Sequence, residues 1–283
     1  MMMKLIERAV ETAIKSNNIM LLVGAGISVA SGLPTYRGKD GLHTRKTLDK
    51  NPQLITTKAY FDMNPYECWK RSYYFYNLVL QNKPNICHHS ILDMQKACLN
   101  KNKELHLVTQ NIDGYHADLI RESRLFENAE VEEGCKLYGH TNGVYEIHGN
   151  LHYMRCSVDY CSNNYLYKVP TVYNEYDSPK CKKCRSPMRR NALMFDESYN
   201  ELYYKVHTVL KKASETDLLI IAGTELKTTL PKKILYAHMD RNINIIELNL
   251  RTWIPDYPHH LLIDGPCELT LPKFIQGYIK SLN

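Results

Sequence analysis

The chain of 283 residues has 36 Lys and Arg against 30 Asp and Glu, a formal charge of +6, with 44% hydrophobic and 23% charged residues. That length supports one large or two modest domains, and the mixture of both charge signs excludes a disordered, collagen-like or mucin-like chain. The positive excess is too mild to name nucleic acid as a partner without a local patch, and no apolar run approaches the ~18 residues of a membrane helix.

Leu5, Ile6, Ala9, Val10, Ala13 and Ile14 recur at helical spacing. They predict an amphipathic helix over 4–16, followed by a strand over 19–23. The N-terminal stretch carries Glu7 and Glu11 and lacks the continuous apolar segment of a secretory signal. With nine cysteines, this fits reduced thiols and metal ligation, and hence an intracellular protein of the cytoplasm or nucleus. Short apolar runs over 105–108, 144–147, 218–222, 244–248 and 261–263 read as further strands. Helical patterns over 90–99, 200–213, 231–239 and 271–281 lie among them. The alternation argues for an α/β fold with a parallel sheet flanked by helices.

Two stretches interrupt it. Residues 60–76 hold Tyr60, Phe61, Tyr66, Trp69, Tyr73, Tyr74, Phe75 and Tyr76, a set that packs a small helical insert or lines a pocket. Residues 151–190 bring Cys156, Cys161, Cys181 and Cys184 among Pro, Asn, Ser and Lys, and read as a loop-rich metal knuckle rather than sheet. The first cysteine pair has four residues between its members and the second has two, with 19 between the pairs. That spacing matches a closed tetrahedral thiolate site, in which zinc is structural. Cys68, Cys87, Cys98, Cys135 and Cys267 lack it.

Gly24-Ala25-Gly26-Ile27-Ser28 directly follows the first strand. Its glycines would let backbone approach a pyrophosphate, whose charge free amides and a helix N-terminus then meet. Val29 stands where the dinucleotide fingerprint has its third glycine, so a tight strand-to-helix turn fits equally well. In the loop 32–38, Arg37 could reach a phosphate, as could an arginine of any surface turn. Gln110, Asn111 and Asp113 fall at the C-terminal end of the strand over 105–108, where open α/β sheets bind ligands, although a polar helix cap would look the same. His148 ends another apolar segment and could serve as a general base. Lys180, Lys182, Lys183, Arg185, Arg189 and Arg190 surround the second cysteine pair and leave a nucleic-acid-binding zinc module as a competing reading.

Taken together, the segments GAGIS at 24–28, GLPTYRG at 32–38, TQNID at 109–113 and EIHGNL at 146–151, with the paired cysteines, resemble the sirtuin family. The resemblance continues through Gly223, Thr224 and Asn249. It implies a Rossmann-like parallel sheet with helices on both faces, plus a small zinc-binding lobe and a helical insert. The implied division assigns 1–35, 86–149 and 196–283 to the NAD-binding domain, 36–85 to the cofactor loop and insert, and 150–195 to the zinc module. The implied activity is NAD-dependent deacylation of protein lysine, releasing nicotinamide and O-acyl-ADP-ribose.

By the same resemblance, Gly24, Ala25, Gly26 and Ser28 would cradle the pyrophosphate, and Tyr36 and Arg37 would close over the cofactor. Gln110 and Asn111 would hold ribose, and Ile112 and Asp113 would form the nicotinamide pocket. Gly223, Thr224, Asn249 and Cys267 would complete the cofactor site, with His148 as general base and Asn111 beside it. The acyl-lysine peptide would enter between the main sheet and the zinc lobe, by strand addition near 194–197.

Three positions depart from the family pattern: Tyr36 replaces a usual Phe, Asp196 a common Gly, and Glu225 a frequent Ser. A carboxylate at 225 would repel a pyrophosphate unless it turns away. The stretch between Asp113 and His148 is longer than usual and holds Glu127, Glu130, Glu132 and Glu133, as a solvated loop or a lip for basic tails. No Tyr-x-x-Arg pair occurs over 60–83, which points to a neutral acyl group. ADP-ribosyl transfer to protein and NAD hydrolysis remain competing outcomes of the same cleft.

Overall fold

Strands apolar on both faces need helices on both faces, because neither side can be left to water. In the computed structural model, which describes residues 2–35, 53–126, 141–170 and 178–282, β1 (Asn18–Val23) is such a strand, and Ile19 through Val23 are fully buried. It lies at the centre of a parallel sheet with β2 (Glu104–Thr109), β3 (Val144–Glu146), β7 (Leu218–Ala222), β8 (Asn244–Asn249) and β9 (His260–Asp264), ordered β3-β2-β1-β7-β8-β9. All five pairings are parallel, and the register places Val23 beside both Thr109 and Ala222. The strand order reverses at β1, so a crevice opens between the carboxyl ends of β1 and β7.

Ile19, Leu21 and Val23 face one layer, made by α1 (Met2–Lys15), α4 (Ile86–Asn100), α5 (Tyr115–Ser123) and α9 (Cys267–Leu282). Met20 and Leu22 face the other, made by α7 (Val206–Glu215) and α8 (Thr229–Met239). Each fully buried aliphatic side chain contributes about 2 kcal/mol, and the sheet buries a double row of them. The expected strands and flanking helices are therefore present. Several run longer than their periodicity alone suggests. α4 starts at Ile86 because Asn85 caps it, accepting from the Cys87 amide at 2.8 Å while the Asn85 amide donates to His88 Nδ1 at 3.2 Å.

Two expectations are corrected. The helix over 200–213 is broken into α6 (Glu201–Tyr204) and α7 by Lys205, whose φ is 53°. The Glu201 carboxylate accepts from the amides of His207 and Thr208 at 2.7 and 3.2 Å, so it caps a new helix rather than continuing the old one. The zinc region is not merely loops. β4 (Gly149–Cys156), β5 (Tyr167–Lys168) and β6 (Met188–Ala192) form an antiparallel sheet of order β5-β4-β6.

The helical insert, α2 (Lys58–Met63) and α3 (Pro65–Gln81), packs on this small lobe. Phe61, Trp69, Tyr73 and Tyr76 are buried there, whereas Tyr66 and Tyr74 are exposed. The Trp69 indole donates to the Met188 carbonyl at 2.7 Å. The Arg190 guanidinium lies 5.0, 4.6 and 4.1 Å from the ring centres of Trp69, Tyr73 and Tyr76 and donates to the Leu151 carbonyl at 2.7 Å. Arg189 is fully buried and donates to both carboxylate oxygens of Glu197 at 2.7 and 2.6 Å. The basic run is thus reduced to Lys180, Lys182, Lys183 and Arg185 at the surface. That removes two of the six cations on which the nucleic-acid reading rested.

Candidate active site

The glycines after β1 meet Gly223 and Thr224 after β7. The Gly26 amide donates to the Gly223 carbonyl at 2.8 Å, and a Cβ on Gly26 would stand 2.6 Å from Gly223 Cα. A Cβ on Gly24 would stand 2.6 Å from Thr224 Cβ, and Gly223 itself has a φ of +62°. These residues are glycine because two backbones touch at the switch point. The turn that follows, over Ala25–Ser31, is a tight 3-10 turn rather than a regular helix, ending at Gly32 with a φ of 81°.

Behind it lies a buried polar cluster. Because the Asn85 amide donates to His88 Nδ1, the ring's other nitrogen carries the proton and donates to Ser28 Oγ at 3.3 Å. Asn111 Nδ2 also donates to Ser28 Oγ, at 3.0 Å, and to the Gly24 carbonyl at 3.1 Å. Ser28 Oγ in turn donates to Asp113 Oδ2 at 2.8 Å, while Asp113 Oδ1 accepts from the Tyr115 amide at 3.1 Å. Burial pushes the Asp113 carboxyl above its usual range, against the pull of these donors. Ile112 packs on the aromatic core of the insert, and its carbonyl accepts from the Leu151 amide.

His148 sits between β3 and β4. Its Nδ1 faces the Gln110 carbonyl at 2.9 Å, which can only accept, so Nδ1 is protonated and Nε2 presents a lone pair. Burial lowers its pKa to about 4, so the imidazole is neutral at pH 7. Nε2 meets the Tyr199 hydroxyl at 2.9 Å. The Gln110 side chain donates to Thr224 Oγ1 at 2.7 Å and accepts from Thr228 Oγ1 at 3.3 Å, tying β2 to the β7–α8 loop. At the far end of the crevice, Asn249 donates to the Thr224 carbonyl at 2.8 Å and to Glu247 at 3.0 Å. Cys267 is buried below, its Sγ 3.5 Å from the Leu248 carbonyl. The Glu225 carboxylate is held by Lys227 at 2.5 Å, so its charge is matched within the protein.

Sequence reasoning thus has Gly24, Ala25, Gly26, Ser28, Gln110, Asn111, Ile112, Asp113, His148, Gly223 and Thr224 around one crevice, with Asn249 and Cys267 at its β8 end. Tyr36 and Arg37 lie outside the described residues, as do Glu127, Glu130, Glu132 and Glu133. Tyr199 and His88 were missed. The Asn85-x-x-His88 capping pattern was a usable signal for His88, whereas Tyr199 reaches a partner 51 residues away and left none.

In the small lobe the sulfurs of Cys156, Cys161, Cys181 and Cys184 all lie within 4.8 Å of one another, with 3.5 Å between Cys156 and Cys184 and 3.9 Å between Cys161 and Cys181. Thiolates ~2.3 Å from a tetrahedral zinc lie roughly 3.8 Å apart, so the set fits that ion.

A family model described as the Sir2 family matches residues 24–123 and 131–229, well over half of the chain. The chain belongs to the Sir2 family, the sirtuins. It is 29% identical to an NAD-dependent protein deacylase of Caldanaerobacter subterraneus over 83% of each chain. It is 26% identical to an NAD-dependent protein deacylase of Leptospira interrogans over 94% of this chain and 95% of that one. A solved Sir2 homologue in complex with NAD superposes with a TM-score of 0.75 at 24% identity, covering 98% of this sirtuin and 95% of the other chain. That likeness shows the fold. Among the described residues of this sirtuin, no helix is long and apolar enough to cross a membrane.

Proposed function

We propose that this sirtuin is an NAD-dependent protein-lysine deacylase that removes neutral acyl groups inside the cell, with residues 1–35, 86–149 and 196–283 as the dinucleotide domain, 36–85 as the cofactor loop and insert, and 150–195 as the zinc module. The observation that carries this reading is His148. It is a neutral imidazole, its tautomer fixed by the Gln110 carbonyl, just past the end of β3 on the side of the sheet where β1 and β7 end at the apposed glycines.

NAD, when bound, supplies an anomeric carbon that gains positive character as nicotinamide leaves. The chain's own residues do the rest. The turn from Gly24 to Ser28, with Gly223 and Thr224, faces the diphosphate, and Asn249 holds the adenosine end, with Cys267 packed beneath it. Pairing with Lys227 neutralises Glu225, so the departure from the family pattern leaves no bare carboxylate against phosphate. Tyr36 and Arg37 close over the dinucleotide. Gln110 and Asn111 hold the ribose, and Ile112 and Asp113 wall the nicotinamide corner. His148 removes a proton from a sugar hydroxyl once the acyl oxygen has attacked. Positioning dominates such a reaction, since an amide oxygen is a poor nucleophile. Cys156, Cys161, Cys181 and Cys184 would hold a zinc ion, which with four thiolate ligands would have a structural role in the small lobe.

The acyl-lysine peptide lies between the sheet and the small lobe. Strand addition near 194–197 would displace the partners that two amides there already have, the Glu197 carboxylate on Met194 and the Thr56 carbonyl on Phe195. Mass spectrometry of acetyl-, myristoyl- and succinyl-lysine peptides incubated with NAD tests the reading. Deacylated peptide with acyl-ADP-ribose, and slow turnover of the succinyl substrate, is expected. Label from NAD on protein alone, or free ADP-ribose alone, overturns it.

A further inference from the structure

Two loops at the carboxyl edge of the parallel sheet bring a cation each to one indole. Lys227, in the loop between β7 and α8, and Arg251, two residues beyond β8, lie 4.9 and 4.2 Å from the ring centre of Trp253. Lys227 also pairs with Glu225 at 2.5 Å, so its charge is matched. That of Arg251 is not. It is exposed, and among the described residues its guanidinium makes no ion pair and no hydrogen bond. Contact with the ring face positions a guanidinium without spending any of its N–H donors, so the whole fork is available to an anion.

The segment that carries this arginine is tied to the crevice. Glu247, in β8, is fully buried, and its Oε1 accepts from Asn249 Nδ2 at 3.0 Å and from the Trp253 amide at 3.2 Å. Its Oε2 accepts from Thr252 Oγ1 at 2.8 Å and meets His260 Nε2 at 3.1 Å. One carboxylate thus fixes the chain on both sides of Arg251. Asn249 spends its Nδ2 on Glu247 and on the Thr224 carbonyl, which leaves Oδ1 to accept from a sugar hydroxyl. Arg251 follows two residues later, at most ~7 Å along the backbone.

Dinucleotide folds read the adenosine sugar by charge: a carboxylate takes a free hydroxyl, whereas an arginine takes a phosphate on it. Here Glu225 is committed to Lys227, and both oxygens of Glu247 are committed within the protein. Neither is left for a hydroxyl, and a cation is left for a phosphate. Resting on the reading of Asn249 as the holder of the adenosine end, we propose that Arg251, seated on Trp253 and assisted by Lys227, receives a phosphate carried by the adenosine sugar. The crevice then binds a 2′-phosphorylated adenine dinucleotide more tightly than the plain one. The roles at the nicotinamide end are unchanged.

Calorimetric titration of the full chain with ADP-ribose and with 2′-phospho-ADP-ribose tests this without turnover. Wild type should bind the phosphorylated nucleotide about 10-fold more tightly, as expected of one charge-assisted contact. In Arg251→Gln that ratio should fall to about 1 or below, and Arg251→Lys, which keeps the charge and loses the fork, should fall between. Lys15→Gln, at the end of α1 on the opposite edge of the sheet, controls for the overall positive charge and should keep the wild-type ratio.

A wild-type chain that binds ADP-ribose at least as tightly as its phosphorylated form overturns the proposal and leaves the cofactor reading standing. A preference that survives in Arg251→Gln, or disappears in Lys15→Gln, overturns it as well. So does an Arg251→Gln chain that loses both nucleotides equally, since the arginine then serves the part they share. A wild-type chain that binds neither overturns the NAD-dependent reading itself.

Discussion

Glu146 shows how one buried side chain couples the crevice to pH. It lies two residues before His148 and accepts from Asn150 Nδ2 at 2.7 Å, and burial pushes its pKa up to about 8. Its folded pKa is above the unfolded value near 4.5, so its stabilising contribution is complete at pH 4 and lost as pH rises through 8. Glu146→Gln keeps the shape and removes that titration. Urea unfolding should find the variant close to wild type at pH 5 and more stable at pH 9, by on the order of 2–4 kcal/mol. Ser28 is the complementary case, a hydroxyl that serves His88, Asn111 and Asp113 together. Ser28→Ala takes one partner each from a buried carboxyl and two donors and should cost about 1–3 kcal/mol in the same assay.

Among the elements, the turn after β1 is the most constrained. Gly26→Ala would force a methyl to within 2.6 Å of Gly223 Cα, a backbone atom that cannot swing away. Thermal melting should show a loss of about 1–3 kcal/mol, and titration with ADP-ribose should show weakened binding, because β1 and β7 must part. Glycine at this place was legible in the sequence, but its partner was not: spacing cannot say that Gly223, about 200 residues on, fills the room. The strands were legible because a run such as Leu218–Ala222, buried throughout, has one physical home. Met188–Ala192 was not, since two arginines in five residues look like surface until Glu197 and the aromatic rings of α3 are placed around them. The same holds for the break at Lys205, which the continuous apolar period over 200–213 hides and the Glu201 carboxylate creates.

For the molecule as a whole, the lobes differ in what holds them. The parallel sheet has a thick apolar layer on each face, whereas the small lobe has a cluster shared with the insert and a minor one around Cys156, Cys181 and Met188. Its stability should therefore depend on metal. Elemental analysis should find one zinc per chain in wild type and none in Cys181→Ser. Hydrogen exchange after chelation should accelerate across Gly149–Cys156 while Asn18–Val23 stays protected.

The chain has two tryptophans, one in the helical insert and one in the segment after β8. Trp69 joins the insert to the zinc lobe through its bond to Met188. Trp253 lies near the adenosine end, with Arg251 and Lys227 at 4.2 and 4.9 Å from its ring. Each indole is thus an optical reporter of its own neighbourhood. Stripping the metal should red-shift the emission of Trp253→Phe and leave that of Trp69→Phe nearly still, so the light the protein emits tells which region has loosened.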